Sequence, residues 1–198
     1  KKKTIISFIP SYSKEQVAKN RGDVVIKDVG WSVAISGHGE RNTNSHSGYE
    51  KKSLHGLTNI RELLQNSILF DTELHEHHNN NAKNDLIVFD HKLYSLGIDK
   101  DGVVSLYKIT VEEYFQDWKH PDSKRFHNLR YVEKIAEIPT KKVAENPEGR
   151  QDFDESRAVS FSENLATEYS VADLYNFVKN FDEEFTTAPE ISPVAAKY

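Results

Sequence analysis

Apolar and polar positions along this chain fall into two periods, one helical and one extended. Leu54, Leu57, Ile60, Leu63 and Leu64 recur at steps of mostly three or four within residues 53–66 (SLHGLTNIRELLQN). That spacing predicts an amphipathic helix with Ser53 as its N-cap and Gly56 weakening the first turn. Residues 103–111 (VVSLYKITV) and 129–138 (LRYVEKIAEI) alternate with period two and predict strands, the second stopped by Pro139. Residues 86–89 and 92–98 read as two more. Asp99-Lys100-Asp101-Gly102 has turn chemistry, so the strands on either side of it form a hairpin. Residues 23–29 (DVVIKDV) and 31–35 (WSVAI) predict a strand pair around Gly30, or one strand with a bulge there, and residues 13–19 a short helix capped by Ser13. Ser170 and Asp173 spell a capping box. It opens a helix whose stripe is Val171, Leu174, Tyr175, Val178, Phe181 and Phe185.

Helices and clustered strands together predict an α+β domain over residues 1–139, with helices packed on an antiparallel sheet of about four strands. Residues 140–169 are charged, contain Pro147 and Gly149, and read as a linker. The amphipathic helix then occupies 170–186, and a tail expected to be mobile occupies 187–198.

Composition narrows the function classes. A chain of 198 residues with 37% hydrophobic content can build one sizeable core. No apolar run is long enough to cross a membrane, and the apolar part of KKKTIISFIP is too short for a signal peptide. A cytoplasmic location is expected, or delivery into a recipient cell's cytoplasm. Without cysteine there is neither a disulfide nor a zinc–thiolate site, and the lack of methionine fits a segment of a longer protein. Net charge is -5, yet residues 1–61 carry 11 Lys/Arg against 5 Asp/Glu, whereas residues 62–198 carry 15 against 26. A local cationic face can still bind a polyanion, because screening limits charge effects to about 10 Å.

The chemistry-bearing types concentrate in the basic part. Residues 36–56 (SGHGERNTNSHSGYEKKSLHG) read as a polar loop with no apolar residue before Leu54 except Tyr49. Such a loop is either plain solvated chain or a place that offers acid–base groups and cations to a ligand. Metal-free RNA cleavage needs a base for the 2′-hydroxyl, an acid for the leaving 5′-oxygen and cations for the phosphate. His38, His46 and His55 supply the proton-transfer type; Arg41, Thr43, Lys51 and Lys52 supply the phosphate-binding type. His91 sits on a strand, where it is either structural or aimed into a cleft. No metal or other cofactor is expected. The HxHH of residues 75–78 lacks a ligand signature, and Asp99–Asp101 lacks the twelve-residue calcium pattern. No phosphate-binding loop, dinucleotide fingerprint, GxSxG or HExxH occurs.

The stretches VAISGHGERNTNSHSGYEKKSLHGLTNIRELLQNSILF, HKLYSLGIDKDGVVSLYKITVEE and YSVADLYNFVKNFDEEF resemble a small domain of large polyvalent proteins in phages and conjugative elements. Those domains are placed in the barnase–EndoU–colicin–RelE-like nuclease group. The likeness spans about residues 22–138. Gly39, Arg41, Thr43, His46 and Lys51 match its loop, Leu57, Ile60 and Leu64 its helix, and Asp101, Gly102 and Tyr107 its hairpin. It implies helices on a four-stranded antiparallel sheet and a metal-independent ribonuclease, a toxin or effector module delivered with mobile DNA. His46 is then the leading acid or base, with His38, His55 or His91 as partner and Arg41 and Lys51 on the phosphate. The alternatives are a non-catalytic module that docks a partner protein or nucleic acid, and an immunity or regulatory protein, which the acidity of residues 62–198 favours. The sequence does not fix the oligomeric state.

Overall fold

The computed structural model describes residues 3–46, 52–75, 88–115, 124–138 and 169–183. In chain order the elements are β1 (Ile6–Ile9), α1 (Lys14–Lys19), β2 (Gly22–Val25), β3 (Ser32–Ile35), α2 (Gly37–His46), α3 (Lys52–Thr58), α4 (Ile60–Gln65), β4 (Ile68–His75), β5 (Val88–Asp99), β6 (Val104–Phe115), β7 (Arg125–Ile138) and α5 (Val171–Phe181).

The class is α+β, as the pattern predicts, but the sheet is larger than expected. Seven strands pair among the described residues, in the order β1-β5-β6-β7-β3-β2, with β4 also on β5. β1 and β4 share one edge of β5, β1 along its C-terminal end and β4 along the rest. The sheet is mixed, because β1 runs parallel to β5 and β3 runs parallel to β7. The expected antiparallel strands of residues 86–138 are present as β5, β6 and β7. β5 runs unbroken through Asp90 and His91, where two separate strands were expected. Gly102 takes φ 79° in the turn between β5 and β6, and the Asp99 carboxylate accepts from the backbone N–H of Asp101 and Val103 at 2.9 Å. The expected pair around Gly30 is β2 and β3, with Gly30 at φ 75°.

Each face of the sheet carries its own core. On one face Leu93, Tyr107, Ile109, Val111, Leu129 and Val132 meet Leu57, Ile60, Leu63 and Leu64. The helical stripe seen in the sequence is therefore the packed one, and each such side chain contributes about 1.5–3 kcal/mol on burial. The helix that carries it is broken at Asn59 into α3 and α4, whereas one helix over 53–66 was expected. Asn59 donates to the carbonyl of Phe8 at 2.6 Å, so the break ties the helices to β1.

The second face is covered by α5. The capping box is formed: the Ser170 hydroxyl accepts from Asp173 N–H, and the Asp173 carboxylate accepts from Ser170 N–H. Leu174 and Val178 are fully buried against Tyr94, Leu96, Ile98, Val104 and Leu106. Asp182, just past the helix end, accepts from the Tyr94 hydroxyl and lies 3.6 Å from Lys108 Nζ, all three groups being buried. Tyr175 and Phe181 belong to the predicted stripe but stay exposed. The linker up to residue 168, the polar stretch 76–87 and the tail 187–198 lie outside the described residues. Among the described residues no helix is long and apolar enough to cross a membrane.

Candidate functional site

Residues 37–46 form helix α2, where a polar loop was expected. Its sequence, GHGERNTNSH, contains few strong helix formers, so contacts outside the helix must hold it. Ser36 begins it: its hydroxyl accepts from His38 N–H at 3.2 Å. Gly39 then brings α2 against β7, where a β-carbon at that position would stand 2.6 Å from the Leu129 carbonyl oxygen. One turn later the Thr43 hydroxyl donates to the Gly39 carbonyl at 2.9 Å and accepts from Val132 N–H at 3.0 Å. Thr43 is fully buried, and both hydrogen-bonding roles of its hydroxyl are used within the fold.

The remaining expected residues of this region lie at the surface or outside the described side chains. His38 is exposed, with a ring nitrogen 3.1 Å from Asn42 Nδ2. Arg41 is exposed as well. A β-carbon on Gly37 would lie 3.5 Å from Arg41 Nη1 and 3.6 Å from Arg21 Nη2, so the two guanidinium groups approach the same point. Arg21 also makes a bidentate pair with Glu40 at 2.9 Å. His55 is exposed, and its ring centre stands 6.5 Å from that of Tyr12. His46 and Lys52 end α2 and begin α3, with side chains outside the described set; Lys51 lies outside it altogether.

His91 belongs to a different neighbourhood, and the structure brings to it two residues that the sequence reading passed over. Strand register places Thr72 opposite His91 and His127 opposite Glu113, with Glu113 diagonal to His91. The resulting cluster crosses β4, β5, β6 and β7. Thr72 Oγ1 lies 2.8 Å from His91 Nδ1, and His91 Nε2 lies 2.6 Å from Glu113 Oε2. His127 Nε2 stands 3.8 Å from the same carboxylate oxygen. Arg125 Nη1 approaches the other oxygen at 3.1 Å, as an ion pair outside hydrogen-bond geometry. Trp31 covers the group, stacked on His127 at 4.7 Å between ring centres and tilted on His91 at 4.5 Å.

These groups are almost dry. The side chains of His91 and Glu113 are 4% exposed and that of His127 is 10% exposed. Burial by itself pushes the Glu113 carboxyl upward. The hydrogen bond from His91 and the charges of His91, His127 and Arg125 outweigh it and hold the carboxyl below its ordinary range. Burial also lowers His127, helped by His91 and Arg125 and opposed by Glu113. His127 Nε2 is buried without a hydrogen-bond partner.

No protein-family model, curated protein or solved structure matches the chain. Two neighbourhoods among the described residues bring chemistry-bearing groups together, the exposed cationic start of α2 and the buried His–Glu–His cluster.

Proposed function

We propose that the chain is a metal-independent endoribonuclease, a toxin- or effector-like module of a larger protein that acts on RNA in a cytoplasm. One observation carries the reading: the Arg21 and Arg41 guanidinium groups both come within 3.5–3.6 Å of the point a β-carbon on Gly37 would occupy, one residue before the exposed His38. Guanidinium groups bind phosphate oxygens through charge-assisted, often paired, hydrogen bonds. Imidazole is the side chain suited to proton transfer near neutral pH. All three groups stand where a polymer can reach them, unlike the cluster around His91.

In this reading His38 and His46 are the proton-transfer pair. One takes the proton of the 2′-hydroxyl as that oxygen attacks phosphorus. The other protonates the departing 5′-oxygen as its bond to phosphorus breaks. The products are a 2′,3′-cyclic phosphate and a 5′-hydroxyl. Arg21 and Arg41, with Lys51 and Lys52, offset the charge that builds on the phosphate. Glu40 orients Arg21 and takes up part of its charge. Eight residues of helix separate the two histidines by about 12 Å along the axis, so both side chains have to reach inward to the two oxygens of one scissile phosphate. Thr43 positions the helix and takes no part in binding phosphate, because its hydroxyl is already committed.

A labelled RNA pool and four proteins test the reading: wild type, His38→Ala, His46→Ala and Arg41→Ala. Each histidine variant should cleave about 10²–10⁴-fold more slowly. Arg41→Ala should weaken RNA binding regardless of sequence and lower its salt-dependence slope by about one. Equal cleavage by wild type and both histidine variants would overturn the mechanism. RNA binding without cleavage by wild type would make the same face a non-catalytic docking module.

A further inference from the structure

We propose that His91, Glu113 and His127 form a binding site for a divalent ion of the zinc class, a site that goes beyond the nuclease reading and does not depend on it. Their ligand atoms all lie within 4.8 Å of one another. The set is two imidazoles and one carboxylate, the donor chemistry of zinc, cobalt and related ions. Calcium and magnesium prefer oxygen donors throughout.

Three features of the surroundings fit an ion rather than a purely internal hydrogen-bond network. First, His127 Nε2 is nine-tenths buried, lies 3.8 Å from Glu113 Oε2 and has no hydrogen-bond partner. An unpartnered buried nitrogen costs free energy unless something occupies its lone pair. Second, Thr72 Oγ1 stands at 2.8 Å from His91 Nδ1 and can accept its proton, which leaves Nε2 as the ligand atom. This is the outer partner that metal-bound histidines usually have. Third, Arg125 engages Glu113 Oε1, which leaves Oε2 to face both imidazoles, and Trp31 packs over both rings.

Only small movements are needed. A tetrahedral zinc ion with bonds of about 2.0–2.2 Å keeps its ligand atoms about 3.4 Å apart. His91 Nε2 and Glu113 Oε2, now 2.6 Å apart, separate slightly, and the ion takes the place of the proton between them. Three protein ligands leave a fourth position for water or an exchangeable ligand. Because the ligands come from β5, β6 and β7, the ion ties three central strands together.

The test is a Co²⁺ titration of the full, metal-stripped chain, read by visible absorption, with melting curves in Zn²⁺ beside it. Wild type should bind one Co²⁺ at the cluster and gain melting temperature in Zn²⁺. Glu113→Gln and His127→Gln should each weaken Co²⁺ binding by at least about 100-fold, and Thr72→Val by the 10–100-fold typical of an outer partner, roughly. Circular dichroism confirms that each variant is folded, and Glu113→Gln preserves the size of the buried side chain. Histidine-rich residues 75–78 are the competing site, so a fourth variant carries His75→Ala, His77→Ala and His78→Ala together. Its affinity should equal that of wild type. The proposal is overturned if wild type takes up no Co²⁺, if the cluster variants bind it as wild type does, or if only the fourth variant loses binding. RNA cleavage in chelator is a separate readout, so failure here leaves the nuclease reading standing, and the reverse holds too.

Discussion

Replacing Gly39 by alanine sets two physical effects against each other, and the structure decides which wins. Helix propensity alone favours the change, by up to about 1 kcal/mol for glycine to alanine in a helix. Packing opposes it. The added β-carbon would stand 2.6 Å from the Leu129 carbonyl oxygen and 3.1–3.2 Å from two Leu129 side-chain carbons. That is roughly 1 Å short of ordinary van der Waals separation, and the nearest obstacle is backbone in the middle of a sheet. Helix α2 must therefore retreat from β7. Overpacking of this kind costs about 1–3 kcal/mol. Retreat also stretches the 3.0 Å bond from Val132 N–H to the Thr43 hydroxyl, and a buried donor left unmade costs about 1–3 kcal/mol. With the propensity gain set against both costs, the expected net effect is a loss of about 1–5 kcal/mol, measured as a lower urea midpoint at unchanged slope. Gly37→Ala is the control. Its β-carbon would meet only side-chain atoms of the Arg21 and Arg41 guanidinium groups at 3.5–3.8 Å, so stability should stay within about 0.5 kcal/mol of wild type. A Gly39→Ala protein as stable as wild type, or more so, would refute the argument that close approach to β7 holds α2 in place.

Thr43→Val should lower stability by about 1–3 kcal/mol, because it keeps the shape but strands the Val132 N–H, and the same urea titration reads it. Leu174→Ala should cost about 2–5 kcal/mol, since Leu174 is fully buried on the second face of the sheet. Hydrogen exchange on residues 171–181 should then accelerate. If those amides exchange at random-coil rates in wild type, α5 does not dock.

Parts of the fold were legible because local chemistry and tertiary need agree there. The Asp99–Gly102 turn, the Ser170 capping box and the Leu57–Ile60–Leu64 stripe each follow from a few neighbouring residues. β1 and β4 escaped for different reasons. β1 is only four residues long and covered on both faces, so ISFI shows little alternation. ILFDTELH is set off from the apolar residues of α4 by Gln65, Asn66 and Ser67, but its apolar run Ile68–Phe70 is short and does not alternate. Helix α2 was hidden because its own residues favour a loop, and contacts remote in sequence, above all Gly39 and Thr43 docked on β7, make it a helix. The His–Glu–His cluster was hidden more deeply. Its members lie on three strands, and they meet through a register that no linear spacing announces. His91 was noticed singly, while Glu113 and His127 carried no local signal at all.

In the proposed reaction this chain cleaves RNA by metal-independent transfer of the phosphoryl group from the 5′-oxygen to the 2′-oxygen. The most direct measurement compares an all-ribose oligonucleotide with the same sequence carrying 2′-deoxyribose, in EDTA, below the melting temperature of the metal-stripped protein, with end-group analysis of the products. The claim predicts cleavage of the ribose strand to a 2′,3′-cyclic phosphate and a 5′-hydroxyl, with the deoxyribose strand left intact. Cleavage of both strands, or cleavage that stops in EDTA and returns with added divalent metal while the protein remains folded throughout, would contradict it.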